Sequence, residues 1–338
     1  MAESPASPGD VVSIEVPPVD QGRIAGVRNM SFRFRHFGDR VVLTSMLGDW
    51  LVLPSGKFDD LVAGRIGPGS DLHAELASRG FVQESVDVEK AVERYRRRNS
   101  HVGRAPYLHI IVVTLRCNEA CIYCHAGREP MSAKADMSIA TAKRVVDMVF
   151  RSPSQQIAIE FQGGEPLANF DTVKFVVEYA REKNATERRD LQFFMVTNLS
   201  LMDEKKLAFL LENDVLLCTS LDGPAALHDR ARKLGGGSAH DLVSGWMGKI
   251  VDSYRSRGRD TDLWHVDALL TTTRDSFGHA KEIVDEYVRL GVKTIHVRPL
   301  NPMGFASHTW ERIGYGPDEF IAFWRECLDY IIELNLSG

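Results

Sequence analysis

From residue 107 onward, apolar segments alternate six times with amphipathic segments of helical period. The predicted strands are 108–114, 157–162, 192–197, 215–220, 263–270 and 294–297, and the predicted helices are 138–150, 172–183, 203–212, 241–257, 277–290 and 317–334. Repeated strand–helix units favour a parallel sheet with helices packed outside it. Six units are too few for a closed eight-stranded barrel, so the pattern predicts an α/β fold with an open, partial (β/α)6 TIM-like barrel.

Three cysteines follow the first predicted strand at the spacing C-x3-C-x2-C, namely Cys117, Cys121 and Cys124. Thiolates are the usual ligands of iron–sulfur clusters. Three of them on one tight loop can hold three irons of a four-iron cluster and leave the fourth iron open for chemistry. The alternative is a structural zinc site, which needs four protein ligands, and only the adjacent His125 could supply the fourth. Neighbouring side chains rarely point at one metal, so the spacing favours the open cluster.

Two further motifs also lie at predicted strand ends. Residues 161–166 read Phe-Gln-Gly-Gly-Glu-Pro, and residues 220–224 read Ser-Leu-Asp-Gly-Pro. With the cysteine motif, they resemble the radical S-adenosylmethionine (SAM) superfamily. Within it they resemble the SPASM-type group of peptide and protein maturases, which includes anaerobic sulfatase maturases. The chain from residue 31 is most similar to the radical SAM maturases of the His-Xaa-Ser system. Active sites of such folds gather at the carboxyl ends of the strands, where all three motifs are predicted.

The resemblance implies the cofactors and their contacts. Cys117, Cys121 and Cys124 would hold one [4Fe-4S] cluster, with the SAM amine and carboxylate on its fourth iron. Reductive cleavage of SAM then yields a 5′-deoxyadenosyl radical that abstracts hydrogen from the substrate. The residues expected to contact SAM are Tyr123, Gly163, Gly164, Glu165, Asn198, Ser220, Arg232 and Ile295. The catalytic acid or base is not identified by the sequence.

Four of these contacts lie in the cysteine motif and in the motif 161–166. Tyr123 is expected to lie against the adenine, as aromatics of the cluster loop do in the family. Gly163 and Gly164 lack a Cβ and can let the backbone approach a ligand closely. Glu165 offers a carboxylate to the positively charged methionyl amine.

The remaining contacts come from later strands. By resemblance, Arg232 matches an arginine that contacts the SAM carboxylate, with Arg230 as a rival, and Ile295 matches an apolar adenine contact. Ser220 is expected to hydrogen-bond the SAM ribose or carboxylate. Asn198 is placed at the ligand by its position after the third strand.

Three segments are predicted before the radical SAM core at 105–338. They are a disordered lead at 1–26, a winged-helix-like domain at 27–86 and a charged helical linker at 87–104. The α+β outline of the second segment comes from a hairpin at 41–53, short helices at 58–63 and 70–79, and a closing strand at 80–82. It resembles the peptide-recognition domain of ribosomal-peptide maturases, and a simple cap on the barrel is the alternative.

Composition excludes several classes of protein. The 338 residues carry 41 Lys and Arg against 46 Asp and Glu, a net charge of −5, which gives no reason to expect a nucleic-acid partner. No apolar run approaches the length of a membrane span. Five cysteines with three clustered do not make a disulfide framework, and an oxygen-sensitive cluster belongs in a reducing cytosol. The protein is therefore predicted to be cytoplasmic, with Cys218 and Cys327 as inert core thiols.

The leading functional hypothesis is an enzyme, a radical SAM oxidoreductase that matures a ribosomally made precursor peptide. Its further partner would be an electron donor such as flavodoxin or ferredoxin. The alternatives are sulfatase-maturase-like modification of a protein and a truncated, non-catalytic peptide-binding scaffold. The cysteine-rich auxiliary-cluster region of the subgroup has no counterpart before Gly338, so radical generation is better supported than completion of an oxidation. The modified residue, the product and the oligomeric state are not determined by the sequence.

Overall fold

The computed structural model describes residues 31–102 and 105–337. The chain divides after residue 104 into two compact units, called here the N-terminal unit (31–102) and the core unit (105–337). The predicted disordered lead, residues 1–26, lies outside the described residues. Within the two described ranges, no helix is both long and apolar enough to cross a bilayer.

The N-terminal unit is an antiparallel meander followed by three helices. Its elements are β1 (Phe32–Phe37), β2 (Arg40–Ser45), β3 (Trp50–Pro54), α1 (Ser55–Val62), α2 (Asp71–Ser78) and α3 (Val88–Arg98). The strands pair in the order β1-β2-β3. The unit's core consists of alternate residues of β2 and β3 with helix and loop residues: Val41, Leu43, Leu51, Leu53, Phe58, Leu61, Leu76, Phe81 and Val82. Period-two burial of this kind is expected of strands with one covered face.

Most of the elements predicted for this unit are present. The hairpin over residues 41–53 is confirmed as β2 and β3, and both short helices are confirmed as α1 and α2. The closing strand predicted at 80–82 is reduced to an isolated β-bridge at Val82, and a 3-10 turn at Gln83–Ser85 follows it directly. The Ser85 hydroxyl donates to the Val82 carbonyl at 2.9 Å, which ties the bridge residue to this turn.

The core unit alternates strands and helices. Its elements are β4 (Leu108–Thr114), β5 (Glu119–Cys121), α4 (Ile139–Val149), β6 (Gln156–Gly163), α5 (Phe170–Glu187), β7 (Asp190–Val196), α6 (Glu204–Glu212), β8 (Val215–Ser220), α7 (Ala225–Ala231), β9 (Arg232–Leu234), α8 (Ala239–Ser256), β10 (Asp267–Thr271), α9 (Ala280–Arg289), β11 (His296–Arg298), α10 (Ala306–Ile313) and α11 (Pro317–Ser337). Six strands form a parallel sheet in the order β4-β6-β7-β8-β10-β11. The order runs from β4 to β11 without closing, as the six-unit pattern predicts.

The two faces of this sheet differ in burial. One face packs under the helices and is buried, as at Ile111, Ile159 and Phe193. On the other, concave face, the side chains of Leu108, Ile110, and Val112 remain exposed. The concave face is therefore the open interior of the partial barrel.

The structure separates the two cysteines that were predicted to be inert core thiols. Cys327 is buried in the main core, as predicted. The prediction for Cys218 is wrong: it is only partly buried, because its position in β8 alternates with those of the buried Leu217 and Thr219. Cys218 therefore belongs to the concave face.

Four elements of the core unit were absent from the sequence prediction, namely β5, α7, β9 and α10. The strands β5 and β9 have three residues each and pair with one another in antiparallel fashion. The helices α7 and α10 have seven and eight residues. Segments this short carry few repeats of a hydrophobic period, so the pattern alone often misses them.

Candidate functional site

The cysteine loop lies at the carboxyl edge of the parallel sheet. It leaves β4, which ends at Thr114, and the Cys117 amide donates to the Glu129 carbonyl at 3.0 Å. A turn bond from the Cys124 amide to the Cys121 carbonyl, at 3.3 Å, closes the second half of the loop. Cys121 is buried, whereas Cys117 and Cys124 are half-buried. The loop thus presents three thiols within eight residues at the edge where all three motifs were predicted.

Two of the three sulfurs face nitrogen donors. The Arg232 Nη1 atom lies 3.8 Å from Cys121 Sγ, and the Asn198 Nδ2 atom lies 3.9 Å from Cys117 Sγ. Burial raises the pKa of the Cys117 thiol to about 11 and also raises the pKa of Cys121. These thiols would stay protonated in the protein alone, and metal binding displaces such protons. Donors aimed at sulfur fit anionic thiolates, so the site fits a bound metal cluster.

Among residues 31–102 and 105–337, no group of three His, Cys, Asp or Glu side chains is arranged to hold a single metal ion. A four-iron cluster offers a different iron to each thiolate, so its three cysteines need not meet at one point.

Gly163 and Gly164 are required by the cysteine loop itself. A Cβ at Gly163 would overlap the carbonyl oxygen of Thr114, and one at Gly164 would overlap that of Arg116. The Gly164 amide donates to the Thr114 carbonyl at 2.9 Å. The close backbone approach that the sequence suggested is present, but its partner in the structure is the start of the cysteine loop. A contact of these glycines with SAM stays a prediction.

Glu165 is fully buried and hydrogen-bonded to its own fold. Its Oε1 accepts from the Leu167 amide at 2.9 Å and from the Thr197 hydroxyl at 2.7 Å, and its Oε2 accepts from the Asn198 amide at 2.7 Å. Burial raises the pKa of Glu165 to about 7. A carboxylate has about four acceptor positions, so about one remains for the ammonium group that the sequence assigned to it.

Arg232, Asp222, Tyr123 and Glu119 form a second buried network. Asp222 Oδ2 accepts from the Tyr123 hydroxyl and from Arg232 Nε, the latter at 3.0 Å. Arg232 Nη1 lies 3.4 Å from Glu119 Oε2. The guanidinium carbon of Arg232 lies over the Tyr123 ring, 5.2 Å from the ring centroid. Glu119 Oε1 is buried and meets no hydrogen-bond partner in the part of the chain that the structure describes. Burial raises the pKa of Glu119, although the charge of Arg232 opposes the rise.

This network gives Tyr123 and Arg232 surroundings that the sequence did not indicate. Both side chains are buried, so their expected contacts with adenine and with the SAM carboxylate stay predictions. Sequence reasoning did not include Glu119 or Asp222 among the site residues. Asp222 lies within the motif 220–224, which was a usable signal. Glu119 had no signal beyond its place between two of the cysteines.

The other predicted contacts lie in different surroundings. Asn198 reaches the cysteine loop, because its side chain donates to Asn118 Oδ1 at 3.2 Å as well as toward Cys117. Ser220 ends β8 and is half-buried. Ile295 lies just before β11 and packs against the main core. The structure therefore brings Asn198 to the cysteines, while the ligand roles of Ser220 and Ile295 stay predictions.

The first turn of α10 and the residues just before it also hold the cysteine loop in place. Sequence reasoning missed this contact. The Phe305 amide donates to the Cys124 carbonyl at 2.8 Å, and the Thr309 hydroxyl donates to the Ile122 carbonyl at 2.7 Å. Gly304, at φ 58°, packs so closely that a Cβ would overlap the carbonyl oxygen of His125. The loop is thus held by groups from both ends of the core unit's sequence.

Comparison with known proteins shows which family model the core unit matches. Residues 111–245 match the model of the radical SAM superfamily. An uncharacterised protein of Methanocaldococcus jannaschii is 32% identical over 197 residues, which are 57% of this chain and 62% of that protein. A cysteine-type anaerobic sulfatase-maturating enzyme of Clostridium perfringens is 32% identical over 124 residues, 35% of this chain and 33% of that enzyme. The chain thus spans less than two thirds of the length of these relatives.

Solved structures share the fold at low sequence identity. Native anSMEcpe with bound AdoMet superposes with a TM-score of 0.57 at 22% identity, over 68% of this chain and 61% of that chain. Streptococcus suis SuiB bound to the precursor peptide SuiA superposes with a TM-score of 0.52 at 14% identity, over 91% of this chain and 71% of that chain. These likenesses support the partial-barrel fold. The placement in the His-Xaa-Ser group stays a prediction.

Proposed function

We propose that this chain, which carries a radical SAM domain, is a radical SAM maturase that binds one [4Fe-4S] cluster and SAM and acts on a ribosomally made precursor peptide. The observation that carries the proposal is the cysteine loop: three thiols at the edge of an open parallel sheet, with nitrogen donors facing two of the sulfurs. When bound, the cofactor pair supplies a 5′-deoxyadenosyl radical that abstracts hydrogen from a C–H bond of the peptide.

The protein's own part is to bind, orient and exclude water. Cys117, Cys121 and Cys124 would hold the cluster, and the Arg232 and Asn198 donors support the anionic sulfurs. The concave face of the sheet offers exposed apolar side chains, among them Ile110 and Val112, to the bound substrate. Covering these side chains with peptide would remove water from the place where the radical acts.

Replacement of single cysteines tests this proposal. Anaerobically reconstituted protein should bind about four irons per chain and release 5′-deoxyadenosine when supplied with SAM and dithionite. The Cys121→Ala variant should lose both, because one of three ligands is removed. Cys218→Ala is the matched control and should keep both. Iron binding and SAM cleavage by Cys121→Ala, or a fully loaded wild-type protein that releases no 5′-deoxyadenosine, would sink the proposal.

The N-terminal unit is proposed to bind the leader part of the precursor peptide. Strand β1 is at an edge of the meander, and the side chains of Arg33, Phe34, Arg35 and Phe37 on it are exposed. An extended peptide can add itself to such an edge by main-chain hydrogen bonds. Exposed edges are a liability unless they are covered or used. The two arginines would favour an acidic leader.

Hydrogen exchange with a candidate precursor tests the leader site. We expect amides of β1 and β2 to gain protection when peptide is added to the cluster-loaded protein. Protection confined to the core unit, with none between residues 31 and 82, would leave the N-terminal unit as a cap. It would not affect the proposed cluster chemistry, which is tested separately above.

The likeness to the sulfatase-maturating enzyme supports a second candidate, modification of a protein substrate by the same core. That candidate predicts turnover that does not depend on β1. A non-catalytic scaffold, the third candidate, predicts equal peptide binding by Cys121→Ala and no 5′-deoxyadenosine from the wild type. The electron donor, flavodoxin or ferredoxin, and the cytoplasmic location stay predictions.

A further inference from the structure

The short antiparallel pair β5–β9 fixes Arg232 beside one cysteine. In this pair Cys121 lies directly opposite Arg232, Ala120 opposite Lys233 and Glu119 opposite Leu234. Directly opposed residues of an antiparallel pair project to the same face with their Cβ atoms close together. The backbone register, rather than a flexible side chain alone, therefore places the guanidinium near the Cys121 sulfur. The resulting distance from Nη1 to Sγ is 3.8 Å.

The guanidinium is also held from its other sides. Nε donates to Asp222 at 3.0 Å, Nη1 lies 3.4 Å from Glu119 Oε2, and the Tyr123 ring lies 5.2 Å from the guanidinium carbon. The arginine side chain is only 10% exposed. Few alternative positions remain for it, so the N–H group facing sulfur is preorganised.

The charge at this position acts on the sulfur without much screening. Buried charges are screened by salt far less than exposed ones. Glu119 Oε2 lies 3.6 Å from Cys121 Sγ, and an ionised carboxylate there would repel a cluster-bound thiolate. Arg232 Nη1 contacts both groups, so it offsets that repulsion and donates to the sulfur.

We propose that Arg232 is a positioning residue of the cluster, whose N–H group on Cys121 raises the cluster's reduction potential. This inference rests on the proposed function, because it requires the cysteines to hold a cluster. Reduction adds one negative charge to the cluster, and a fixed positive charge with a sulfur-directed hydrogen bond stabilises the more negative state. Net charge and hydrogen bonds to the sulfurs are among the factors that set such potentials. The role differs from the SAM-carboxylate contact expected from the resemblance.

Redox titration without SAM separates the two roles. Wild-type protein, Arg232→Gln and Arg232→Lys are reconstituted, their iron contents matched, and each is titrated with dithionite, which donates one electron per cluster. At a fixed solution potential, the ratio of reduced to oxidised cluster in Arg232→Gln should be about tenfold lower than in the wild type. For a one-electron couple this corresponds to a cluster reduction potential ~59 mV more negative. Arg232→Lys keeps the charge and should show a smaller shift in the same direction.

Arg230→Gln is the matched control, since Arg230 lies two positions away and is 63% exposed. It should titrate like the wild type. A wild-type potential in Arg232→Gln, combined with weaker SAM binding, would overturn the inference and support the SAM contact. If Arg232→Gln does not fold, a wild-type potential in Arg232→Lys at reduced SAM affinity overturns it, and a negative shift supports it. A wild-type protein that binds no cluster would refute the proposed function first, and this inference with it.

Discussion

The two units of the chain differ in the charged groups around their proposed sites. In the N-terminal unit the ion pairs lie at the surface, as Arg65 with Asp60 and Arg94 with Asp49 do. In the core unit Glu119, Glu165, Asp222 and Arg232 are all buried around the cysteine loop. Surface pairs contribute little stability and are screened by salt. Buried networks transmit the loss of one partner to all the others.

This comparison indicates where each kind of function is supported. A cluster loop requires fixed sulfur positions, which buried and interlocked partners supply. A surface that binds a variable leader peptide needs only complementary charge and an accessible edge. Substitutions in the buried network around the cysteine loop should therefore act on cofactor binding as a whole, whereas those on β1 should act gradually on peptide affinity.

The largest effect is expected from Gly164→Ala. The added Cβ would overlap backbone atoms of residues 115 and 116, which cannot move without displacing the cysteine loop. Over-packing typically costs about 1–3 kcal/mol and occasionally more. Because backbone rather than side-chain atoms must move here, we expect a loss above this range together with loss of iron binding. Denaturant unfolding and iron content after reconstitution check this.

Gly245→Ala is the control for that variant. Gly245 lies in α8, and within the described residues the added Cβ would meet no atom within 4 Å outside its own stretch of helix. Alanine is better than glycine in a helix by roughly 0.5–1 kcal/mol, so this variant should be at least as stable as the wild type. Normal iron binding by Gly164→Ala would show that the close approach between the motif 161–166 and the cysteine loop is not needed.

An effect of intermediate size is expected for Glu165, whose ionisation makes the free energy of unfolding depend on pH. The pKa of Glu165 is raised from 4.5 to about 7 in the fold, so the folded state holds this proton at a pH where the unfolded chain has lost it. Its contribution to stability is thus fully present below pH 4.5 and is lost as the pH rises through about 7. Between pH 4.5 and 7, this group lowers the free energy of unfolding by about 3 kcal/mol.

Glu165→Gln should remove that part of the pH dependence, because the side chain no longer titrates. Unfolding free energies measured between pH 4.5 and 8 should therefore fall less steeply with pH in the variant than in the wild type. Glu178→Gln, at an exposed position of α5, should keep the wild-type slope. Equal slopes in all three proteins would show that the burial of Glu165 does not govern its ionisation.

The smallest effect is expected from charge reversal on β1. Arg33→Glu combined with Arg35→Glu should weaken the binding of an acidic leader about tenfold, or ~1.4 kcal/mol, because exposed charge pairs contribute little each. The matched double variant Lys57→Glu with Arg65→Glu, at exposed positions of the same unit, should bind the leader like the wild type. Isothermal titration at two salt concentrations checks this. Equal losses in both double variants would point to net charge rather than to β1.

Much of the fold followed from local sequence patterns. The sequence predicted the six strands of the parallel sheet and six helices of the core unit, with their ends wrong by a few residues at most. This was possible because the hydrophobic period of a segment is a local property. The pair β5–β9 was not predictable in this way, since Cys121 and Arg232 lie 111 positions apart. The segment around Gly304 that holds the cysteine loop was missed for the same reason.

The sequence by itself determined the alternation of strands and helices, the spacing of the three cysteines and the placement of three motifs at strand ends. Only the tertiary structure decided the partners of the motif residues. It placed Gly163 and Gly164 against the cysteine loop, surrounded Glu165 with donors and set Arg232 beside the Cys121 sulfur. The physical reason is that spacing and period depend on neighbouring residues, whereas hydrogen-bond partners depend on which distant strand ends meet at the edge of the sheet.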